Sequence, residues 1–181
     1  PQIQGFFKIP LDHLMSIPIL AQSLRERHDL SSAVMVATDA GGAKDAGRFA
    51  SVHDLDLAII DKRRDGDDET ARAENLIGEV DGRVALIIDD EIASGGTVLE
   101  AADFLRKHGA TDVVVGCTHP VFTKNAPELL QHSSISEVLA TDTIPVPVHK
   151  RFPKLRVETV APLFAAAINR IHDGRSVSAL F

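Results

Sequence analysis

Short apolar runs alternate with amphipathic stretches along most of this 181-residue chain. Runs of branched apolar residues are typical of buried strands, and longer stretches with apolar residues three and four apart are typical of helices. The runs predict strands at residues 33–38, 57–60, 76–80, 84–88, 112–117, 137–140 and 155–160. The amphipathic stretches predict helices at residues 14–28 (interrupted early by Pro18), 43–52, 97–108, 126–132 and 162–172. This alternation predicts an α/β fold with a mainly parallel sheet.

One internal segment departs from the pattern. Residues 61–74, DKRRDGDDETARAE, contain no apolar side chain larger than that of Ala. Long segments of this kind in compact domains are often functional lids or disordered connections, so we expect a mobile loop. It begins with three cations, Lys62, Arg63 and Arg64. Most such clusters are simply solvated, but this one directly follows an apolar strand that would anchor it at the ligand edge of the sheet.

Composition and charge narrow the function classes. Apolar residues make up 44% and charged residues 25%, as in ordinary globular domains. The formal net charge of −7 argues against nucleic-acid binding, which a basic surface would favour. The single cysteine, Cys117, excludes an internal disulfide framework and fits a reducing compartment such as the cytoplasm. No apolar run approaches the roughly 20 residues of a membrane span, and no leader peptide is recognisable.

The segment DDEIASGGT, residues 89–97, is the strongest candidate site. Ser94, Gly95, Gly96 and Thr97 open a predicted helix directly after a buried strand. Adjacent glycines let the backbone approach an anion closely, and the free N–H groups and dipole of the first helical turn favour a phosphate there. The two hydroxyls can add donors.

Asp89 and Asp90 come just before that phosphate-type loop. Ionised carboxylates are acceptors only, so they suit sugar hydroxyls or a Mg²⁺ ion held through water. The alternative is a plain strand-to-helix turn in which Thr97 caps the helix and the glycines serve geometry alone. The two aspartates favour the ligand site, because a plain turn does not need them.

Three further residues are candidates for the site. Asp39 ends a predicted strand ahead of two glycines, and the pattern fits a turn-forming aspartate as well as a ligand contact. Lys44, in the following helix, could pair with a phosphate or be solvated. His119 ends another strand, where a structural role in the turn before Pro120 is the better interpretation.

Six ordered segments resemble one family, the ribose-phosphate pyrophosphokinases (PRPP synthetases), over its C-terminal half. They are QIQGFFKIPLDHL, ATDAGGAK, LAIIDKRR, IIDDEIASGGT, CTHPVF and IHDGRSVSALF. The resemblance runs nearly end to end and is more specific than the loop at residues 89–97 alone. It implies a three-layer, type I phosphoribosyltransferase-like fold with helices on both faces of the sheet. It also implies that residues 1–12 connect to an absent N-terminal half and that residues 13–181 form the domain.

The resemblance further implies a reaction and its participants. The 1-hydroxyl of ribose 5-phosphate would attack the β-phosphorus of MgATP, giving PRPP and AMP. Lys62 and Arg64 would stabilise the transferring charge, Arg64 would also reach ribose 5-phosphate, and Asp39 would contact Mg²⁺. The implied sugar-phosphate contacts are Arg64, Asp89, Asp90, Ala93, Ser94, Gly95, Gly96 and Thr97. The implied partners are the protein's own N-terminal domain and further copies of itself, as hexamers.

Two departures from the family leave alternatives open. Ala93 stands where the family usually has Asp, which removes one acceptor, and Asp45 stands where it often has Arg. The loop at residues 89–97 alone would equally suit a free-standing phosphoribosyltransferase that consumes PRPP. Ala93 also allows a regulatory subunit that keeps the fold without the chemistry. Retention of Lys62 and Arg64 favours the enzyme.

Overall fold

The structure, a computed structural model, describes residues 2–63 and 72–180. The strands are β1 (Ala33–Ala37), β2 (Asp56–Arg63), β3 (Arg72–Ile77), β4 (Val84–Glu91), β5 (Asp112–His119), β6 (Glu137–Thr141) and β7 (Leu155–Glu158). The α-helices are α1 (Ile17–Arg27), α2 (Ala43–His53), α3 (Gly96–Lys107), α4 (Ala126–His132) and α5 (Ala161–His172). Short 3₁₀ helices lie at Gln2–Phe6, Val148–Lys150 and Val177–Leu180.

The strands form one sheet in the order β3-β2-β1-β4-β5-β6-β7. All neighbouring strands are parallel except β3, which pairs antiparallel with β2 at one edge. From β1 the chain crosses to β2 on one side and later returns to β4 on the other. The strand order therefore reverses between β1 and β4, and α/β folds bind their ligands at the carboxyl ends of strands that flank such a point.

Each face of the sheet has its own hydrophobic core. On one face, α1 and α2 pack against alternate residues of β1, β4, β5 and β6; the largest of these side chains are Leu20, Leu24, Met35, Phe49, Leu86 and Leu139. On the other face, α3 and α4 pack against the intervening residues; members include Ile60, Ile87, Leu105, Val115, Phe122 and Leu130. The predicted three-layer α/β architecture, with a mainly parallel sheet between helices, is confirmed.

The predicted helices are present, with one correction at the first. Pro18 does not interrupt a helix beginning at residue 14, because α1 begins at Ile17 and holds Pro18 in its first turn. That position needs no backbone N–H, so proline is tolerated there. The predicted end of α3 is confirmed by Gly109, whose φ of 89° takes the left-handed conformation typical of a helix C-terminus.

The expectation of a loop across residues 61–74 was wrong at both ends. β2 continues through Lys62 to Arg63, and β3 begins at Arg72, with Lys62 paired to Ala73 across the hairpin. Pairing with a neighbouring strand satisfies the backbone of a polar segment, so the lack of apolar residues did not exclude strands. Arg64 lies outside the described residues.

Large apolar side chains are exposed on α5 and near the start of the described residues. Phe164, Ile168 and Ile171 are 50%, 63% and 56% exposed and lie four and three residues apart, on one side of α5. Phe6 and Ile9, near the start, are 86% and 69% exposed. Residues 7–16 contain no regular element; the assignment of residues 1–12 as a connecting segment stays a prediction.

Candidate functional site

The candidate site lies where β4 ends, beside the point at which the strand order reverses. Side chains alternate along a strand, and in β4 Ala85 and Ile87 face the α3 side whereas Leu86 faces the α1 side. Because β4 extends to Glu91, Asp89 and Asp90 belong to the strand rather than to the loop after it. The alternation therefore continues through them and sends the two carboxylates to opposite faces.

Two cavities reflect this alternation. A cavity of about 270 Å³ is formed by Asp89, Glu91 and the backbone turn into α3, from Ile92 to Val98. A second cavity, of about 120 Å³, lies between β4 and the first turns of α1 and α2, and both Asp89 and Asp90 line it. The structure thus places Asp89 between the two cavities, with Asp90 on the α2 side.

The turn into α3 has the geometry of an anion site. Gly95 takes a φ of 82° and caps the helix, which begins at Gly96 and carries Thr97 in its first turn. Thr97 is therefore not the capping residue that a plain turn would require. The Gly96 N–H lies 3.5 Å from Ser94 Oγ, at the limit of a hydrogen bond. The free N–H groups of the first turn of α3 lie at the cavity. The positive end of the helix dipole lies there too, and both stabilise a bound phosphate.

Backbone hydrogen bonds fix this turn to the neighbouring strand. The Ile92 N–H donates to His119 O at 3.1 Å, and the N–H groups of Phe122 and Thr123 donate to Ile92 O and Ala93 O at 2.9 Å. Ile92 and Phe122 are both buried. These hydrogen bonds hold the turn in shape, so its N–H groups need little reorganisation to bind a ligand.

The carboxylate of Asp89 is destabilised in its charged form. Burial raises its pKa, and the negative charges of Asp90 and Asp39 raise it further, although N–H groups of Asp90 and Glu91 oppose the shift. Asp89 Oδ1 accepts the Asp90 N–H at 2.8 Å. β1 and β4 pair in parallel with Val36 opposite Ile87, so Asp39 and Asp89 both lie at the carboxyl edge of the sheet, on neighbouring strands.

Asp39 has a structural contact of its own. Its Oδ1 accepts the Gly42 N–H at 2.8 Å and so closes the turn that leads into α2. The turn-forming interpretation of Asp39 is confirmed, while its second carboxylate oxygen has no hydrogen bond within the described part of the chain. Among residues 2–63 and 72–180, no group of three His, Cys, Asp or Glu is arranged to hold a metal ion by itself.

The other candidates are placed as follows. Lys62 lies in β2, and Lys44 is exposed in the first turn of α2. His119 Nδ1 lies 2.9 Å from Thr143 Oγ1, a contact that orients the imidazole ring. Burial raises the pKa of Cys117 to about 12, so this thiol is not a nucleophile at neutral pH.

The sequence analysis missed Glu91 as a site residue. Glu91 comes two residues after Asp89, and in an extended strand that spacing places two side chains on the same face, so the spacing could have indicated it.

Asp89→Asn provides a test of the electrostatics of the site. Folding raises the pKa of this carboxyl. Such a group stabilises the native state at a pH below the pKa that it has in the unfolded chain. That stabilisation is lost as the pH rises through the pKa that the group has in the folded protein. We therefore expect the asparagine variant to be more stable than the parent protein at pH 7. The Tm difference should shrink as the pH falls through the raised pKa, while affinity for a sugar phosphate decreases. A lower Tm at pH 7 would contradict this assignment.

The fold and the site together define an α/β domain with a preformed phosphate-type turn and adjacent carboxylates at the point where its strand order reverses. The family described as "Phosphoribosyl synthetase-associated domain" matches residues 69–181. The chain belongs to this family, as the resemblance predicted.

Individual relatives agree. The chain is 46% identical over 181 residues to a protein named ribose-phosphate pyrophosphokinase from Caldanaerobacter subterraneus subsp. tengcongensis, covering 100% of this chain and 57% of that one. It is 42% identical to the protein of that name from Bacillus subtilis, covering 100% and 56%. The crystal structure of phosphoribosylpyrophosphate synthetase from Mycobacterium smegmatis superimposes with a TM-score of 0.84 at 36% identity, covering 96% of this chain and 56% of that one. The chain thus spans little more than half the length of these relatives.

No helix in the described ranges combines the length and apolar character that crossing a membrane would require.

Proposed function

We propose that this chain is the ribose 5-phosphate-binding part of a cytoplasmic ribose-phosphate diphosphokinase. The observation that carries the proposal is the arrangement at the end of β4. Anion-binding N–H groups from Gly95 to Thr97 and the acceptor carboxylates of Asp89 and Glu91 line the same cavity. A sugar phosphate needs both kinds of group, donors for its phosphate and acceptors for its hydroxyls, a few ångströms apart.

In the proposed reaction the chain binds and orients the nucleophile. The 5-phosphate lies against the first turn of α3, and the ring hydroxyls lie toward the carboxylates at the end of β4 that line the same cavity, of which Asp89 is one. The 1-hydroxyl oxygen forms a bond to the β-phosphorus of ATP as the bond from that phosphorus to the α,β-bridging oxygen breaks. AMP leaves with that oxygen, and the hydroxyl proton passes to solvent. Lys62 and Arg64 stabilise the negative charge on the transferring group.

The acidic groups around Asp89 fit a role for Mg²⁺. Burial holds the pKa of Asp89 up, and the charges of Asp90 and Asp39 add to that effect; a cation nearby would offset this repulsion. Mg²⁺ is usually bound by one or two carboxylates together with substrate phosphates, so the lack of a three-residue ligand set in the described ranges is compatible with it. When bound, the ion would neutralise part of the negative charge on the substrate phosphates. Asp39 is the proposed contact.

Asp39→Asn tests this contact. The asparagine oxygen can still accept the Gly42 N–H, so the turn into α2 should be kept while the charge is lost. We expect the Mg²⁺ concentration for half-maximal activity to rise by about tenfold, since a contact to an ion is removed. The readout is a Mg²⁺ titration of the rate at saturating substrates. An unchanged Mg²⁺ dependence would remove Asp39 from the metal site.

The exposed apolar side of α5 and the first residues suggest where the remainder of the protein packs. Phe164, Ile168, Ile171 and Phe6 are all at least half exposed, and exposed apolar patches of this kind mark interaction surfaces. Because relatives are nearly twice as long, we propose that an N-terminal half covers this surface and supplies much of the ATP site, within a homo-oligomer. Residues 1–181 alone should then bind ribose 5-phosphate weakly and have little activity.

The decisive assay compares two reactions in the protein with its full native sequence. We expect AMP and PRPP to form in equal amounts from ATP and ribose 5-phosphate. Release of pyrophosphate from PRPP and a nucleobase, without that activity, would instead identify a phosphoribosyltransferase. Binding of ribose 5-phosphate with no turnover in either assay would identify a regulatory subunit, the alternative that Ala93 leaves open.

A further inference from the structure

We infer that Glu91 is a substrate-positioning residue that accepts a hydrogen bond from a hydroxyl of the bound sugar phosphate. In this role it supplies the carboxylate that the chain lacks at Ala93. The inference rests on the proposed function, because it concerns the same cavity and the same substrate.

The first observation concerns which carboxylates are available in the cavity beside α3. Asp89 lines it, but Oδ1 of Asp89 accepts the Asp90 N–H at 2.8 Å, and the side chain is only partly exposed. Asp90 lines the cavity on the α2 side and not this one. Ala93 lines the cavity without any polar side-chain atom. Glu91 is therefore the exposed carboxylate of this lining.

The second observation is that the backbone fixes the position of Glu91. It is the last residue of β4 and is paired in register with His119 of β5. The next residue, Ile92, is buried and donates its N–H to His119 O at 3.1 Å. Glu91 thus stands on an anchored strand end, two residues before Ala93, on the same lining of the cavity.

Charge decides which part of a sugar phosphate Glu91 can contact. A glutamate beside the phosphate would repel it, whereas an ionised carboxylate is a strong acceptor for hydroxyl groups. The N–H groups of the α3 first turn hold the phosphate end. Glu91 therefore faces the hydroxyl-bearing end, the part of the substrate that the carboxylate missing at position 93 would otherwise serve.

The test is a double-mutant cycle in the full-length protein with Glu91→Ala, Ala93→Asp and both together. Loss of a charge-assisted hydrogen bond predicts about a tenfold rise in KM for ribose 5-phosphate in Glu91→Ala, with KM for ATP unchanged. Ala93→Asp should restore most of that loss in the double variant, and should change KM much less when Glu91 is present. Glu26→Gln, an exposed glutamate of α1 outside the cavity, is the control.

Selective change in the KM for ribose 5-phosphate, with restoration by Ala93→Asp, supports the assignment. The assignment is overturned if Glu91→Ala behaves like Glu26→Gln, or if Ala93→Asp has the same effect with and without Glu91. Because Glu91→Ala could also loosen the strand end, Glu91→Gln keeps the size of the side chain and an acceptor oxygen but removes the charge. It should show a smaller rise, again only in the KM for ribose 5-phosphate, with an unchanged Tm. Failure of the unmodified protein to form PRPP would overturn the proposed function itself, and is seen separately from these differences.

Discussion

Replacing Lys62 by Ala in the full-length protein should lower kcat about 100- to 1000-fold while leaving the KM for ribose 5-phosphate nearly unchanged. The reason is that the proposed role of Lys62 is to stabilise negative charge that develops during diphosphoryl transfer, and such groups act on the transition state more than on the bound substrate. Lys62 lies in β2, which pairs with β1 and β3 within the sheet. The measurement is steady-state kinetics of AMP formation with either substrate varied.

Arg63→Ala is the matched control, because it removes an adjacent cation of the same strand. We expect it to reduce kcat far less than Lys62→Ala does. If both variants lose activity equally, general charge at the end of β2 matters rather than a specific lysine. An unchanged kcat in Lys62→Ala would remove this residue from the mechanism.

Gly78→Ala should destabilise the protein by at least about 3 kcal/mol. Gly78 follows β3 with a φ of 100°, a backbone conformation that residues with a Cβ rarely adopt. A Cβ there would lie 2.8 Å from Leu57 O and 3.0 Å from Ala58 Cα, both backbone atoms of β2 that cannot move independently. Urea denaturation, with the midpoint and slope compared between variant and parent, gives the loss of unfolding free energy.

Gly82→Ala separates the effect of the backbone conformation from the effect of the clash with β2. Gly82 also has a positive φ, 70°, but a Cβ there meets no atom within 4 Å. This variant should lower the free energy of unfolding by about 1 kcal/mol, the cost of the backbone conformation alone. The difference between the two variants then measures the clash with β2. Equal losses would show that the close approach of β3 to β2 is relieved by small shifts.

The sequence predicted the fold well where burial decides the structure. The strands β1, β4, β5 and β6 have buried cores and appear in the sequence as apolar runs. Their predicted first residues are confirmed, whereas β4 and β5 extend further than predicted. The prediction was wrong at the polar end of β2 and at both ends of β3, two strands that pair with each other through their backbones. Antiparallel pairing of a polar edge hairpin leaves little periodic signal.

The sequence predicted where the candidate site lies, but not that its carboxylates are divided between two cavities. The motif located Asp89, Asp90 and the turn into α3, yet it treated both aspartates as members of one loop. Because β4 extends to Glu91, strand alternation separates them and places Glu91 on the lining of the phosphate-side cavity. Pairing with β5 extends β4 through its polar end. The sequence of β4 alone carries no information about that pairing.

An NMR titration of the ¹⁵N-labelled chain with ribose 5-phosphate would show most directly whether the turn into α3 is the sugar-phosphate site. We expect the amide signals of residues 94–97 to shift with saturable, weak affinity, together with those of residues 89–91. Inorganic phosphate alone should shift the first group and not the second. Saturable shifts elsewhere, with residues 94–97 unmoved, would contradict the assignment of this turn as the sugar-phosphate site.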